Sequence, residues 1–135
     1  MPEMSDGGAR ARRGVLTDGA PKPIGPYSQA VTIDGWTFVS GQIPIDAASG
    51  RLETGPIAAQ TERVLKNVAA ILEAAGSGLD RVVRATVYLR DLGDFDAMNA
   101  VYARFFSASP PPARSTVEVA RLPKDVAVEI DVIAR

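Results

Sequence analysis

Histidine and cysteine are both absent from the sequence. Their absence removes the commonest general base, the thiolate nucleophile and the usual zinc ligands together. Disulfides are excluded too, which suits a reducing compartment and a cytoplasmic location. Acid–base chemistry is left to Asp, Glu, Lys, Tyr, backbone groups or water. Aromatic residues make up 6% and the formal net charge is −1, so the chain offers few stacking platforms and no basic excess for nucleic acid. No run approaches the roughly 20 apolar residues that a membrane helix needs. Phosphate-loop and serine-hydrolase signatures are missing as well: Ser40-Gly41-Gln42-Ile43-Pro44 has the wrong spacing for the first, and no G-x-S-x-G elbow occurs.

The first 18 residues are rich in Gly, Ala and Arg and hold no apolar stretch, so they do not read as a secretory signal. Arg10, Arg12 and Arg13 hint at organelle import, but Glu3 and Asp6 run against an acid-poor transit peptide. The expectation is a flexible extension over residues 1–18 and a single domain over 19–135.

With 46% hydrophobic residues, that domain can bury its own core without staples. The runs 27–33 and 36–40 flank Asp34-Gly35, a pair that tolerates the positive φ of a tight hairpin. Residues 44–54, with Ser49-Gly50 inside them, predict a loop or short edge hairpin. Ile57, Val64, Leu65, Val68, Ile71, Leu72 and Ala75 recur at helical spacing and predict a helix over 56–75. Gln60, Glu62, Arg63, Lys66, Asn67 and Glu73 lie mostly off that stripe. Val, Thr and Tyr content predicts a strand over 82–89. A second helix is expected over 94–106, with Asp94 as its N-cap and Phe95, Met98, Val101 or Tyr102, and Phe105 facing the core. Ser109-Pro110-Pro111-Pro112 forces an extended connector, and strands over 115–119 and 126–133 complete the chain. This order predicts an α+β sheet with both helices on one face. The other face then needs a cover, and self-association is the economical one.

Two segments hold the candidate chemistry. The proline run delivers Arg114 to the start of a strand, where period-2 counting sets it on one face with Thr116. A planar guanidinium fixed there meets both oxygens of a carboxylate, although an ordinary surface ion pair is the commoner use of such a residue. On the last strand Glu129 and Asp131 share the face opposite Val126, Val128, Ile130 and Val132. Two such acids are usually just solvated. With no histidine available, Glu129 is also the best proton shuttle the chain offers, provided burial or a neighbour shifts it. Asn99 falls on or beside the apolar stripe of the second helix, where a buried amide must find a partner, in a loop or in a site.

These segments, together with 24–30 (IGPYSQA), 40–44 (SGQIP), 73–76 (EAAG), 112–115 (PARS) and 117–126 (VEVARLPKDV), resemble the signature runs of the RidA (YjgF) family. The resemblance runs in order over residues 17–135. It implies a chorismate-mutase-like α+β fold and a homotrimer whose sheets line an inner β-barrel, with sites in the clefts between subunits. It also implies hydrolytic deamination of reactive 2-imino and 2-enamino acids, such as 2-aminoacrylate, 2-iminopropanoate and 2-iminobutanoate, in metabolite detoxification. No metal or organic cofactor is implied, nor a nucleic-acid or membrane partner. Carried across residue by residue, Arg114 would hold the substrate carboxylate and Glu129 would activate water or pass a proton to the departing nitrogen. Tyr27, Ser40, Gly41, Asn99 and Thr116 would line or shape the pocket. Many relatives carry cysteine where this chain has Thr116, which argues against redox switching there. Two other readings stay open: a trimer that binds small carboxylates without turnover, and an endoribonuclease or translation inhibitor.

Overall fold

The computed structural model describes residues 11–135. Its elements are β1 (Arg13–Val15), β2 (Ala30–Ile33), β3 (Trp36–Gln42), α1 (Ile57–Ala74), β4 (Val82–Leu89), α2 (Phe95–Phe105), β5 (Ala113–Glu118) and β6 (Val128–Ala134). The six strands form one sheet in the order β1-β2-β3-β6-β4-β5. Only β4 and β5 are parallel, because α2 carries the chain back between them; every other neighbour pair is antiparallel. The fold is α+β with both helices on one face, in agreement with the element order expected from the sequence.

The expected extension over residues 1–18 divides in the structure. Residues 1–10 lie outside those described, whereas Arg13–Val15 pairs antiparallel with β2 and forms one edge of the sheet. Composition conceals this strand because its partner lies about 17 residues away and most of its side chains stay exposed.

Asp34 and Gly35 turn the β2–β3 hairpin with φ of 50° and 82°, the conformation that this dipeptide tolerates. Helix α1 starts after Pro56 and stops at Gly76, where φ is +81° and the Ser77 N–H reaches back to the Leu72 carbonyl at 2.8 Å. Asp94 stands at the start of α2 as expected but makes no side-chain cap; Asp91 caps the short 3-10 turn Leu92–Asp94 that leads into α2, accepting from the Gly93 N–H at 2.8 Å. Val64, Leu65, Val68, Ile71 and Leu72 of α1 pack with Met98 and Tyr102 of α2 over Val87, Val128, Ile130 and Val132 of the sheet.

Gln60 and Asn67 depart from the expected amphipathic pattern, for both are buried. Asn67 donates to the carbonyls of Ile43 and Ile45 at 3.4 and 2.9 Å. Gln60 accepts from the Ala127 N–H at 2.9 Å and donates to the Gly55 carbonyl at 3.1 Å. These amides tie the loop after β3 and the approach to β6 onto α1, satisfying backbone groups that no strand partner reaches.

Candidate functional site

The sheet distributes the candidate residues over two faces. Along β6, Val128, Ile130, Val132 and Ala134 are buried under the helices, while Glu129, Asp131 and Ile133 face the open side. Along β5 the register sets Arg114 opposite Ala85 and Thr116 opposite Val87, both buried under the helices. Arg114 therefore points to the helix side and Glu129 to the open side, with β4 between their strands. The two residues do not meet within one copy of the chain.

Around Glu129 the open side is shaped by an irregularity in β3. Val39 pairs with Val132 and Gln42 with Ile130, so Ser40 and Gly41 together stand against Asp131 alone. Such a bulge re-aims the strand, and here it brings the Gly41 Cα against the Glu129 carboxyl. A methyl group at Gly41 would overlap Oε2 of Glu129 and approach its carboxyl carbon to 2.9 Å. Ser40 commits its hydroxyl to the Ser28 carbonyl at 2.6 Å, so it braces the bulge rather than presenting a free donor. Burial, and then the charge of Asp131, push the Glu129 carboxyl above its ordinary range. Asp131 in turn accepts from the Tyr88 hydroxyl at 3.0 Å. Tyr88 sits directly across from Glu129 in the β4–β6 register, a placement that depends on non-local pairing and left no signal in the sequence.

Gly41 also lines a groove of about 330 Å³ with Tyr27, Ile24, Ile43, Ile45 and Lys124. Its outer wall is held by Gln29, fully buried, which accepts from the Thr17 N–H at 2.7 Å and donates to the carbonyls of Thr17, Ala20 and Pro21. Tyr27 accepts from the Ile24 N–H at 3.3 Å and leaves half its surface in solvent. Substituting Gly41 by Ala should force the Glu129 carboxyl out of place. NMR of the Glu129 side-chain carboxyl in the folded variant should register that displacement.

The helix side holds the second group. One guanidinium nitrogen of Arg114 donates to Oδ1 of Asn99 at 2.7 Å. The guanidinium carbon lies 4.6 Å from the centroid of the Tyr102 ring and 5.5 Å from that of Phe95. Among the described residues no acid pairs with Arg114, so its charge is held by an amide and two aromatic faces rather than neutralised. The Thr116 hydroxyl is buried near the same strand with no partner among the described residues. Sequence reasoning singled out Asn99, Arg114 and Thr116 but treated Phe95 and Tyr102 only as core, since aromatics at helical spacing carry no sign of a cation. No cluster of acids that could hold a metal ion occurs among the described residues, nor does any helix long and apolar enough to cross a membrane.

The molecule is a small α+β protein: a mixed sheet covered by two helices on one side, with an acid on its open face and, at its far edge, an arginine that has no acidic partner among the described residues. The chain belongs to the Endoribonuclease L-PSP family, the RidA (YjgF) family of the sequence resemblance, whose model matches residues 17–135. It is 54% identical over 124 residues to a RutC family protein of Pyrococcus abyssi, covering 92% of this chain and 97% of that one. The fold is similar to that of YyfA, a conserved Rid family protein of Yersinia pestis, with a TM-score of 0.90 and 44% identity over 92% of this chain and 98% of that one. It is similar also to E. coli TdcF, solved with bound serine, with a TM-score of 0.85 and 42% identity over 90% and 97% of the two chains.

Proposed function

We propose that this chain is a hydrolase of reactive 2-imino and 2-enamino acids, among them 2-aminoacrylate, 2-iminopropanoate and 2-iminobutanoate, which it converts to 2-keto acids and ammonia. The observation that carries this reading is the Glu129 carboxyl, half-buried, pushed upward and lodged against Gly41 at the rim of an open groove. A carboxyl tuned in that direction suits proton transfer near neutrality in a chain that has no histidine.

In this reading Arg114 grips the substrate carboxylate through the guanidinium edge turned away from Asn99. Glu129 orients a water molecule and takes its proton as the oxygen bonds to the imine carbon. The nitrogen gains a proton, the carbon–nitrogen bond of the resulting carbinolamine breaks, and ammonia leaves as the carbonyl forms. An enamine first takes a proton at its terminal carbon and becomes the imine. Imines hydrolyse readily in water, so orientation plus one proton relay, worth on the order of 10² to 10⁴ in rate, meets the need.

Because Arg114 and Glu129 occupy opposite faces, the site requires two copies, with the arginine of one brought to the glutamate of the next. A homotrimer with the open faces turned inward as a β-barrel satisfies this and is typical of the family. It is supported by Phe38 and Val117, each 41% exposed on the face that lacks helices. The proposed setting is the cytoplasm, and the proposed service is removal of reactive metabolites.

The test is release of ammonia and 2-keto acid from freshly generated 2-iminobutanoate. A rate above that of free solution is expected; a rate equal to it removes the enzyme and leaves a carboxylate-binding trimer, a reading that TdcF with bound serine supports. The family's description as endoribonuclease raises RNA cleavage as a further reading. The net charge of −1 and the lack of a histidine pair weigh against it. Cleavage of RNA surviving in both Arg114→Ala and Glu129→Gln proteins would establish it at a separate site.

A further inference from the structure

The arginine on the helix side stands in an unusual setting. It is partly buried, it donates to Asn99 at 2.7 Å, and its guanidinium carbon lies over the Tyr102 ring, 4.6 Å from the centroid. Tyr102 belongs to the core: it is 6% exposed and stacks on Phe106 with ring centroids 4.4 Å apart. Its hydroxyl is buried without a partner among the described residues. A ring clamped between the core and a guanidinium can move very little. Long arginine side chains otherwise lose substantial rotamer entropy when a ligand orders them.

We infer that Tyr102 is a positioning residue: its ring, backed by Phe106, fixes the plane of the Arg114 guanidinium so that Asn99 occupies one edge and the remaining N–H groups are presented to a small 2-oxo or 2-imino carboxylate. This inference rests on the carboxylate-gripping role proposed for Arg114. Asn99 alone supplies one hydrogen bond and leaves rotation about it free; the ring face removes that rotation. The ring makes the close contact, while the hydroxyl, although near enough to feel the Arg114 charge, has no hydrogen-bond partner among the described residues. Phenylalanine should therefore serve at position 102, and an aliphatic residue should not. Phe95, at 5.5 Å, closes the same guanidinium from another side more loosely.

The experiment measures binding of 2-oxobutanoate, a stable product-like carboxylate, by calorimetry on the intact assembled protein. The wild type, Tyr102→Phe, Tyr102→Leu and Val101→Ala are compared, the last removing apolar volume at a buried position beside Tyr102 on the same helix. Tyr102→Phe should bind like the wild type. Tyr102→Leu should bind about tenfold more weakly, a typical loss for one partly desolvated cation–π contact. Val101→Ala should lose thermal stability but keep its affinity. The Arg114 side-chain N–H resonance gives a direct readout of position. Ring current should displace it in the wild type and in Tyr102→Phe, and it should move toward an ordinary arginine shift in Tyr102→Leu, where only the more distant Phe95 ring remains. Wild-type affinity with an unmoved resonance in Tyr102→Leu overturns the inference, as does an equal loss of affinity in Val101→Ala. No binding by the wild type overturns instead the reading of Arg114 on which the inference stands.

Discussion

Arg114→Ala is expected to lower kcat/KM for 2-iminobutanoate by about 10²-fold, mainly through KM, with the fold retained. One charge-assisted hydrogen-bonding contact contributes about 1.5–3 kcal/mol, and each 1.4 kcal/mol is a factor of ten. The size of the effect follows from how the arginine is held. Its one side-chain hydrogen bond among the described residues goes to the neutral Asn99, so its charge stays available for an incoming anion. Were Arg114 serving a structural ion pair instead, its loss would lower thermal stability and leave KM unmoved. Arg114→Lys should recover little, since an ammonium offers neither the fork nor a flat face for the Tyr102 ring. Steady-state kinetics beside thermal denaturation separate these outcomes.

Glu129→Gln is expected to reduce kcat by about 10² to 10⁴ while leaving 2-oxobutanoate affinity close to the wild type. It should also raise thermal stability near neutral pH. Burial first, and then the neighbouring Asp131, lift the folded-state carboxyl above its ordinary value of 4.5. Ionising Glu129 in the folded protein therefore opposes folding. That penalty is absent below the ordinary value, grows as pH rises, and is complete above the folded-state value. The stability advantage of the Gln variant should accordingly appear at neutral pH and fade toward acid pH. A thermal profile parallel to the wild type across that range would remove the buried-carboxyl argument, and an unchanged kcat would remove the proton relay. Activity gained at the expense of stability at one residue is a common mark of a working site.

Several elements of the molecule could be read from residue order alone because their physics is local. The Asp34-Gly35 turn needs only two residues that accept positive φ. Helix α1 needs only a stripe of apolar residues at helical spacing and a glycine beyond its end. The alternation of β6, which divides Glu129 and Asp131 from Val128, Ile130 and Val132, is a property of the extended backbone itself. Strand β1 escaped, since three residues with mostly exposed side chains become a strand only when β2 lies alongside. The burial of Gln60 and Asn67, which lie mostly off the apolar stripe, escaped because helical periodicity says nothing about carbonyls of distant loops that need donors.

The amino-acid order by itself determined the kinds of chemistry open to this protein. Without histidine or cysteine the work falls to carboxylates and an arginine, and Arg114 and Glu129 were visible as the groups to watch. Only the tertiary structure decided where they stand: on opposite faces of one sheet, one against Tyr102 and Asn99, the other against Gly41. The physical reason is strand pairing. Insertion of β6 between β3 and β4 sets the Ser40-Gly41 bulge against β6 and Tyr88 across from Glu129, through pairing of residues 39 to 97 positions apart. Local propensity specifies each strand, but not its neighbours or its facing side chains.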